Sequence, residues 1–293
     1  MDPFISVIVP TKDRLAEVTK CISSVYKSIN NHKMCSVEVI LIDDHSKQPI
    51  HTLAIKFPKL KIVKTEMSGN AGARNTGIEH ARGEVIAFTD SDCEVAENWI
   101  ESIYNHYKKH KNCFAAQGIP WLFLGNYSYL TKCDAASVKS VVDFQIKGKT
   151  IRTIETRNLT IRKKLLKRMG TNKLFREELP SMVDREAAKR ILHITKICWD
   201  PHIVAKHRPP TSLVDTMRHK FWYGRGMAYF NLKEDCDGGS IIKNYIIHPT
   251  LEGVPIWWVF LRTLMFTLGY YYERITNREK VRGYRKKYHE KGY

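Results

Sequence analysis

Three apolar runs near the start of the chain each end abruptly in polar side chains, and this repeated pattern limits the folds open to it. The runs span residues 5–9, 37–42 and 84–88 and are rich in β-branched residues. Residues 15–29 follow the first run with the spacing of an amphipathic helix. Strands that alternate with helices predict an α/β fold with a mostly parallel sheet flanked by helices. Ligands of such sheets bind at the carboxyl ends of the strands, where these polar clusters fall.

Two acids, Asp90 and Asp92, follow the third run. Residues spaced i and i+2 in an extended segment project to the same side, so both carboxylates are expected to face one point. Like charges this close are unfavourable unless a cation or proton lies between them, and hard oxygen ligands suit Mg²⁺ or Mn²⁺. The pair therefore predicts a divalent metal site, although a solvated turn also carries such acids.

A glycine-rich turn, residues 69–77, follows a third short strand predicted around residues 61–65 and runs into a helix. Its glycines do not fit the G-x-G-x-x-G spacing of a dinucleotide site, and it follows the third strand instead of the first. A dinucleotide-binding dehydrogenase is thus disfavoured.

In this order, the clusters resemble glycosyltransferase family 2, whose members have the GT-A nucleotide-sugar-binding fold. The resemblance covers residues 1–118 and is looser beyond. It implies Mn²⁺ or Mg²⁺ on Asp92, and nucleotide-sugar binding by residues at the strand ends and in the glycine-rich turn: Pro10, Thr11, Asp13, Arg14, Asp43, Asp44, Arg74, Asp90 and Ser91.

The second half of the chain resembles the family's acceptor side. Asp184 stands where the resemblance implies the catalytic base, but Val183 replaces the usual neighbouring Glu, so a helix N-cap is the alternative role. Glu177 and Glu178 are the reserve candidates. By the same resemblance His207 completes the metal site, although a lone histidine is more often structural. Residues 213–230 are expected to form a helix interrupted near its end by glycines.

The resemblance implies an inverting glycosyltransferase that moves a sugar from a nucleotide diphosphate sugar, with a UDP-sugar favoured, to a hydroxyl acceptor. The acceptor is expected to be a glycan or lipid-linked precursor of a surface polysaccharide. Two alternatives remain open: a non-catalytic nucleotide-sugar or glycan-binding protein, and a nucleic-acid-binding protein that uses the basic half.

Charge is concentrated in the second half: residues 151–293 hold 29 Lys and Arg against 14 Asp and Glu, within a net charge of +18 for the chain. Without a recognisable nucleic-acid module, this favours an anionic membrane surface as partner, and no nucleic acid is expected. The aromatic segment 254–272 carries Arg262 near its middle, so an interfacial helix is favoured over a packed helix or a true span. The expected location is cytoplasmic, peripheral on the cytosolic face of a membrane.

We predict a nucleotide-sugar half at 1–118, an acceptor half at 119–235 and an aromatic, basic helical tail at 236–293. The seven cysteines are odd in number and never spaced C-x-x-C. They are therefore expected to be reduced thiols, forming neither a disulfide framework nor a zinc site. A strand this close to the start also predicts that no signal peptide is present.

Overall fold

The computed structural model describes residues 2–67, 69–119, 124–125, 151–208, 212–230 and 255–290, with isolated residues and short stretches between 129 and 146. The predicted domain boundary at 235–236 and Val254 lie outside these residues. The chain divides into two compact units. The first comprises Met1–Gly125, Gln145–Glu177 and Asp184–Arg208, and the second comprises Asn126–Phe144, Glu178–Val183 and Pro209–Tyr293.

The first unit begins with the alternation that the apolar runs predict. Its elements as far as the predicted acceptor half are β1 (Ile5–Thr11), α1 (Leu15–Asn31), β2 (Val37–Asp43), α2 (Leu53–Lys56), β3 (Leu60–Lys64), α3 (Asn70–His80), β4 (Val85–Phe88), β5 (Cys93–Val95), α4 (Trp99–Lys109) and β6 (Ala115–Ile119). The remaining elements are β7 (Leu159–Arg162), α5 (Lys164–Arg168), α6 (Val183–Ile194) and β8 (Ile197–His207).

The described strands form one sheet in the order β3-β2-β1-β4-β7-β6-β8-β5. Strands β1 to β4 are parallel, and Ile8 of β1 lies between Ile40 and Phe88 in register. The sheet is nevertheless mixed, because β7 runs antiparallel to both β4 and β6, and β5 runs antiparallel to β8. The expected parallel arrangement therefore holds for β1 to β4 and for the β6–β8 pair, whereas the sheet as a whole is mixed.

Two helices cover one face of the sheet and bury its apolar side chains. Helix α1 contributes Val18, Ile22 and Val25, and α4 contributes Trp99 and Ile103, all in one core cluster with β1 and β2. Full burial of such side chains stabilises the fold by about 1.5–3 kcal/mol each. This core fixes the strands whose carboxyl ends carry the polar clusters.

One disulfide corrects the prediction that every cysteine is reduced. It joins Cys113, just before β6, to Cys198 in β8 across 85 residues of sequence. The spacing of the cysteines gave no signal of this pair, because β6 and β8 become neighbours only in the folded sheet. The other cysteines in the described part of the chain are free thiols.

The second unit contains three further helices, α7 (Leu213–Met227), α8 (Ile256–Thr276) and α9 (Arg278–Glu290). Helix α7 continues through its glycines, so the predicted interruption is wrong. A Cβ atom on Gly224 would lie 1.9 Å from the carbonyl oxygen of Phe266, and one on Gly269 would lie 1.9 Å from that of Phe221. These glycines let the backbones of α7 and α8 approach each other closely.

Helix α8 buries charge on its packed side. Arg262 is 5% exposed, and Glu273 accepts hydrogen bonds from Arg225 Nε at 2.7 Å and from the Tyr229 hydroxyl at 2.9 Å. Among the helices that the structure describes, none combines the length and the apolar character that crossing a bilayer requires.

Candidate functional site

The carboxyl ends of β1 and β2 lie side by side, with Thr11 and Asp43 paired in register. Both residues are buried, as is Asp44. Pro10, one residue before Thr11, is also buried. The backbone N–H of Asp44 donates to the Thr11 carbonyl at 2.8 Å, and Asp44 Oδ2 accepts from the Gly69 N–H at 3.0 Å. Asp44 thereby ties the strand ends to the start of the glycine-rich turn, where Gly69 has a φ of 95°.

Asp13 and Asp43 bind loop backbone. Asp13 Oδ1 accepts from the N–H groups of Lys47 and Gln48 at 2.5 and 3.3 Å, and Asp43 Oδ1 accepts from that of Ser46 at 2.9 Å. Asp13 thereby ties the loop after β1 to the loop after β2, whereas Asp43 stabilises the turn that follows its own strand. Their predicted contact with a nucleotide sugar stays a prediction.

Arg74 of α3 points at the loop after β4. It is 4% exposed, and its guanidinium donates to Asp90 Oδ1 at 2.6 Å. Ser91, the residue after Asp90 in the sequence, is also buried. The Asp90 carboxylate is therefore held by a buried cation before any ligand is considered.

Asp92 has different partners. Its carboxylate forms an ion pair with Arg14, and its Oδ1 lies 3.2 Å from His207 Nε2. The β5–β8 ladder creates this neighbourhood, because Cys93 pairs with His207 and the N–H of Arg208 donates to the Asp92 carbonyl at 2.8 Å. The expectation that both acids face one cation is thus only partly met, since Asp90 and Asp92 are bound by separate cationic groups.

Charge around Asp92 decides its protonation. Burial acts to raise its pKa, but the hydrogen bond and charge of His207, together with Arg14, hold the pKa well below its usual range. Asp92 is therefore an anion at any physiological pH.

The donor set at this point fits a divalent cation. Oxygen, sulfur and nitrogen donors of Asp92, Cys93 and His207 all lie within 4.8 Å of one another. Carboxylate with imidazole suits Mn²⁺ better than Mg²⁺, which prefers oxygen ligands alone. Arg14, which neutralises Asp92 here, has a side chain that is 48% exposed and so has room to move aside.

Asp184 lies in the first turn of α6, where its Oδ1 accepts from the Arg185 N–H at 2.8 Å. Burial and the negative charge of Glu155 raise the pKa of Asp184 to about 7, against the opposing charge of Arg74. Asp184 thus shares an electrostatic environment with Arg74 and, through it, with Asp90.

Glu155 was missed by the sequence analysis. It lies 29 residues from Asp184 and carries no recognisable motif. Its backbone N–H donates to Gln117 Oε1 at 2.7 Å, and its carboxylate accepts from Arg157 at 3.1 Å. Glu155 therefore supplies a negative charge that acts on Asp184, which Val183 does not.

The reserve acids are less suited to a catalytic role. Glu177 accepts hydrogen bonds from Asn75 at 2.8 Å and from Lys173 at 3.0 Å, so both of its oxygens are engaged. Glu178 is exposed and belongs to the second unit.

Comparison with known proteins identifies the family. The sequence model described as Glycosyl transferase family 2 matches residues 6–191, more than half of the chain. The chain belongs to glycosyl transferase family 2. The resemblance inferred from the sequence is confirmed.

Individual relatives of this family 2 protein match little more than a third of it. Glycosyltransferase AglE of Haloferax volcanii is 33% identical over 104 residues, which are 34% of this chain and 34% of the relative. The poly(ribitol-phosphate) beta-N-acetylglucosaminyltransferase TarP of Staphylococcus aureus is 34% identical over 117 residues, 37% of this chain and 34% of the relative. The matches thus span about a third of these relatives' lengths.

Solved structures extend the likeness to nearly the whole chain. The mannosyltransferase PcManGT of Pyrobaculum calidifontis, in complex with GDP-Man and Mn²⁺, has a TM-score of 0.56 at 17% identity over 90% of this chain and 74% of that one. S. aureus TarS residues 1–349, in complex with UDP-GlcNAc, has a TM-score of 0.54 at 16% identity over 99% and 92%. At these identities the likeness shows the fold, a GT-A-like mixed α/β sheet with flanking helices.

Proposed function

We propose that this chain is an inverting glycosyltransferase that moves a sugar from a nucleotide diphosphate sugar to a hydroxyl acceptor. The observation that carries the proposal is a pair of carboxylates with pKa values driven apart: Asp92 is held anionic by His207 and Arg14, whereas Asp184 has a pKa raised to about 7. Such a separation is how one site assigns one carboxylate to charge stabilisation and another to proton transfer.

The leaving group is a nucleoside diphosphate, on which negative charge grows as the bond to the sugar breaks. Asp92 and His207 would hold a Mn²⁺ or Mg²⁺ ion, which supplies charge stabilisation worth several kcal/mol in comparable sites. Arg14, once released from Asp92, is then available to pair with a phosphate oxygen. Arg74 keeps the Asp90 carboxylate fixed, in the region that the resemblance assigns to the nucleotide sugar.

The acceptor hydroxyl must lose its proton as it attacks the anomeric carbon. A carboxylate with a pKa near 7 is well matched to this task at neutral pH, and general-base catalysis contributes about 10²- to 10⁴-fold. Asp184 is therefore the proposed base, with Glu155 as the neighbour that helps to raise its pKa. Attack opposite the leaving diphosphate inverts the anomeric configuration, as in inverting glycosidases.

The donor and acceptor are proposed from the ligands and substrates named for similar proteins. Related folds have been solved with GDP-Man and with UDP-GlcNAc, so a nucleotide diphosphate sugar is proposed here, with UDP favoured. The TarP relative is named for transfer to poly(ribitol-phosphate). A phosphate-bearing or lipid-linked glycan would also suit the basic second half of this chain.

An anionic membrane surface, on the cytosolic face, is the proposed partner of the second unit. One side of α8 exposes a stripe of apolar side chains at helical spacing: Trp257, Phe260, Leu264, Leu268, Tyr271 and Ile275. Helix α9, which follows α8, is rich in Lys and Arg. An apolar face beside cationic side chains is the pattern of a helix that lies in the headgroup region.

A non-catalytic nucleotide-sugar-binding protein is the second candidate, favoured by Val183 in place of the usual acid. Incubation of the full chain with UDP- and GDP-sugars, Mn²⁺ and glycan acceptors separates the two. Transfer to give a product of inverted anomeric configuration by NMR, lost in Asp184→Asn, supports the transferase. Binding of the donor without turnover under any of these conditions supports the second candidate, and retained configuration contradicts the role of Asp184.

A further inference from the structure

A second group of metal-ligand side chains lies away from the site described above. It consists of His106 on α4, Cys113 in the turn before β6, and Cys198 near the start of β8, with their ligand atoms within 4.8 Å of one another. His106 and Cys113 are buried and Cys198 is partly buried. Cys198 and His207 are nine residues apart on β8, about 30 Å along an extended strand.

The histidine of this group is oriented for a cation. His106 Nδ1 lies 2.7 Å from Asp200 Oδ2, and His106 Nε2 lies 3.3 Å from Cys113 Sγ. A carboxylate accepts only, so Nδ1 carries a proton, and Nε2 is the ring nitrogen that faces the sulfur and is placed to ligate a metal. A carboxylate–histidine contact of this kind is the usual support of a histidine that ligates a metal.

We propose that His106, Cys113 and Cys198 form a Zn²⁺ site when the disulfide is reduced. Two thiolates and one imidazole nitrogen are a ligand set that selects zinc among the common divalent cations. The fourth tetrahedral position falls to water, because the ligand atoms of His110, one helical turn beyond His106, lie outside the cluster. Asp200 acts as a positioning residue through His106.

The two states exchange by balanced steps. A dithiol reductant supplies two electrons and two protons, so the Cys113–Cys198 bond breaks to give two thiols while the reductant becomes a disulfide. Zn²⁺ then bonds to both sulfurs and to His106 Nε2, and the two thiol protons pass to solvent. Either the disulfide or the metal links the segment before β6 to β8.

The test uses the full chain, oxidised and reduced, titrated anaerobically with Co²⁺ and Zn²⁺. Reduced wild type is expected to bind one more ion per chain than the oxidised protein, with a thiolate-to-cobalt charge-transfer band and, in native mass spectrometry with Zn²⁺, the loss of two protons for that additional ion. The oxidised protein is expected to show no such band. This comparison needs no variant and so does not depend on the folding of one.

Variants then locate the ion. Cys198→Ser and His106→Ala should lose the additional ion and its band, and Asp200→Asn should weaken the affinity for that ion by about 10- to 100-fold. Cys35→Ser and His51→Ala, which remove the same residue types elsewhere in the first unit, should leave the band unchanged. The proposal is overturned if reduced wild type shows no thiolate-to-cobalt band, or if Cys198→Ser and His106→Ala bind as the two controls do.

Discussion

His207 Nε2 lies 3.2 Å from Oδ1 of Asp92, although 115 residues of sequence separate the two. The contact exists because β5 and β8 pair antiparallel at the edge of the sheet, with Cys93 opposite His207. It turns an acidic loop and a distant histidine into a single candidate metal site.

Removal of that histidine should weaken the metal site. We expect His207→Ala to lower the affinity for Mn²⁺ by at least about tenfold, because even residues that only orient a metal ligand contribute 10- to 100-fold. Titration of Mn²⁺ in a donor-hydrolysis assay measures this. His202→Ala, an exposed position on the same strand, is the matched control. Equal Mn²⁺ dependence in both variants would contradict the assignment.

The raised pKa of Asp184 predicts how activity varies with pH. A general base must be deprotonated, so kcat/KM should rise with pH through an apparent pKa near 7 and then level off. Asp184→Asn should reduce kcat by about 10²- to 10⁴-fold. A pH profile that is flat between 5 and 8 would remove Asp184 from this role.

Glu155→Gln should move that pH profile. Its negative charge is the second cause, after burial, of the raised pKa of Asp184, so its neutralisation should shift the midpoint of the acid limb to lower pH. Glu178→Gln, an exposed acid of the second unit, serves as control and should leave the midpoint unchanged. No shift in Glu155→Gln would show that the two carboxylates are not coupled.

Substitution by alanine should have opposite effects on stability at two glycines of the second unit, one at the crossing of α7 and α8 and one outside it. Gly269→Ala places a Cβ atom against the carbonyl of Phe221 and should destabilise the second unit by about 1–3 kcal/mol. Gly283→Ala in α9 meets no atom within 4 Å and should stabilise by up to about 1 kcal/mol, since alanine is the better helix former. Thermal unfolding of both variants measures the difference, and a melting point for Gly269→Ala at or above that of Gly283→Ala would refute the close crossing.

The exposed stripe of α8 predicts binding to anionic vesicles. Wild type should sediment with vesicles of mixed phosphatidylglycerol and phosphatidylcholine, less so at high salt. Phe260→Glu should weaken this binding, because it puts a charge at a side chain that is 68% exposed on the stripe. Ile55→Glu, at an 84% exposed position in the first unit, is the control. If the two variants bind equally, α8 is not the contact.

The first half of the fold could be predicted because its signals are local. The runs that became β1, β2 and β4 are continuous and apolar, and the polar residues that end them fall at one sheet edge by the geometry of parallel strands alone. Asp90 and Asp92 could be named for the same reason, whereas Arg74, on α3, was named through the family resemblance.

The remainder depends on contacts between distant segments. The sequence of residues 159–162 does not predict that β7 runs antiparallel between β4 and β6. Similarly, no sequence pattern predicts that the charge of Glu155 acts on Asp184. The Cys113–Cys198 pair and the close approach at Gly224 likewise arise from packing, which leaves no periodic pattern in the sequence.

Calorimetric titration of UDP and GDP into wild type and Asp92→Asn, with and without Mn²⁺, tests whether Asp92 holds the metal that binds the donor. We expect Mn²⁺ to raise the affinity of wild type for one of these nucleotides by at least about tenfold, and Asp92→Asn to lose this gain while still binding the nucleotide weakly. An equal gain in both proteins, or no effect of Mn²⁺ on wild type, would contradict this role of Asp92.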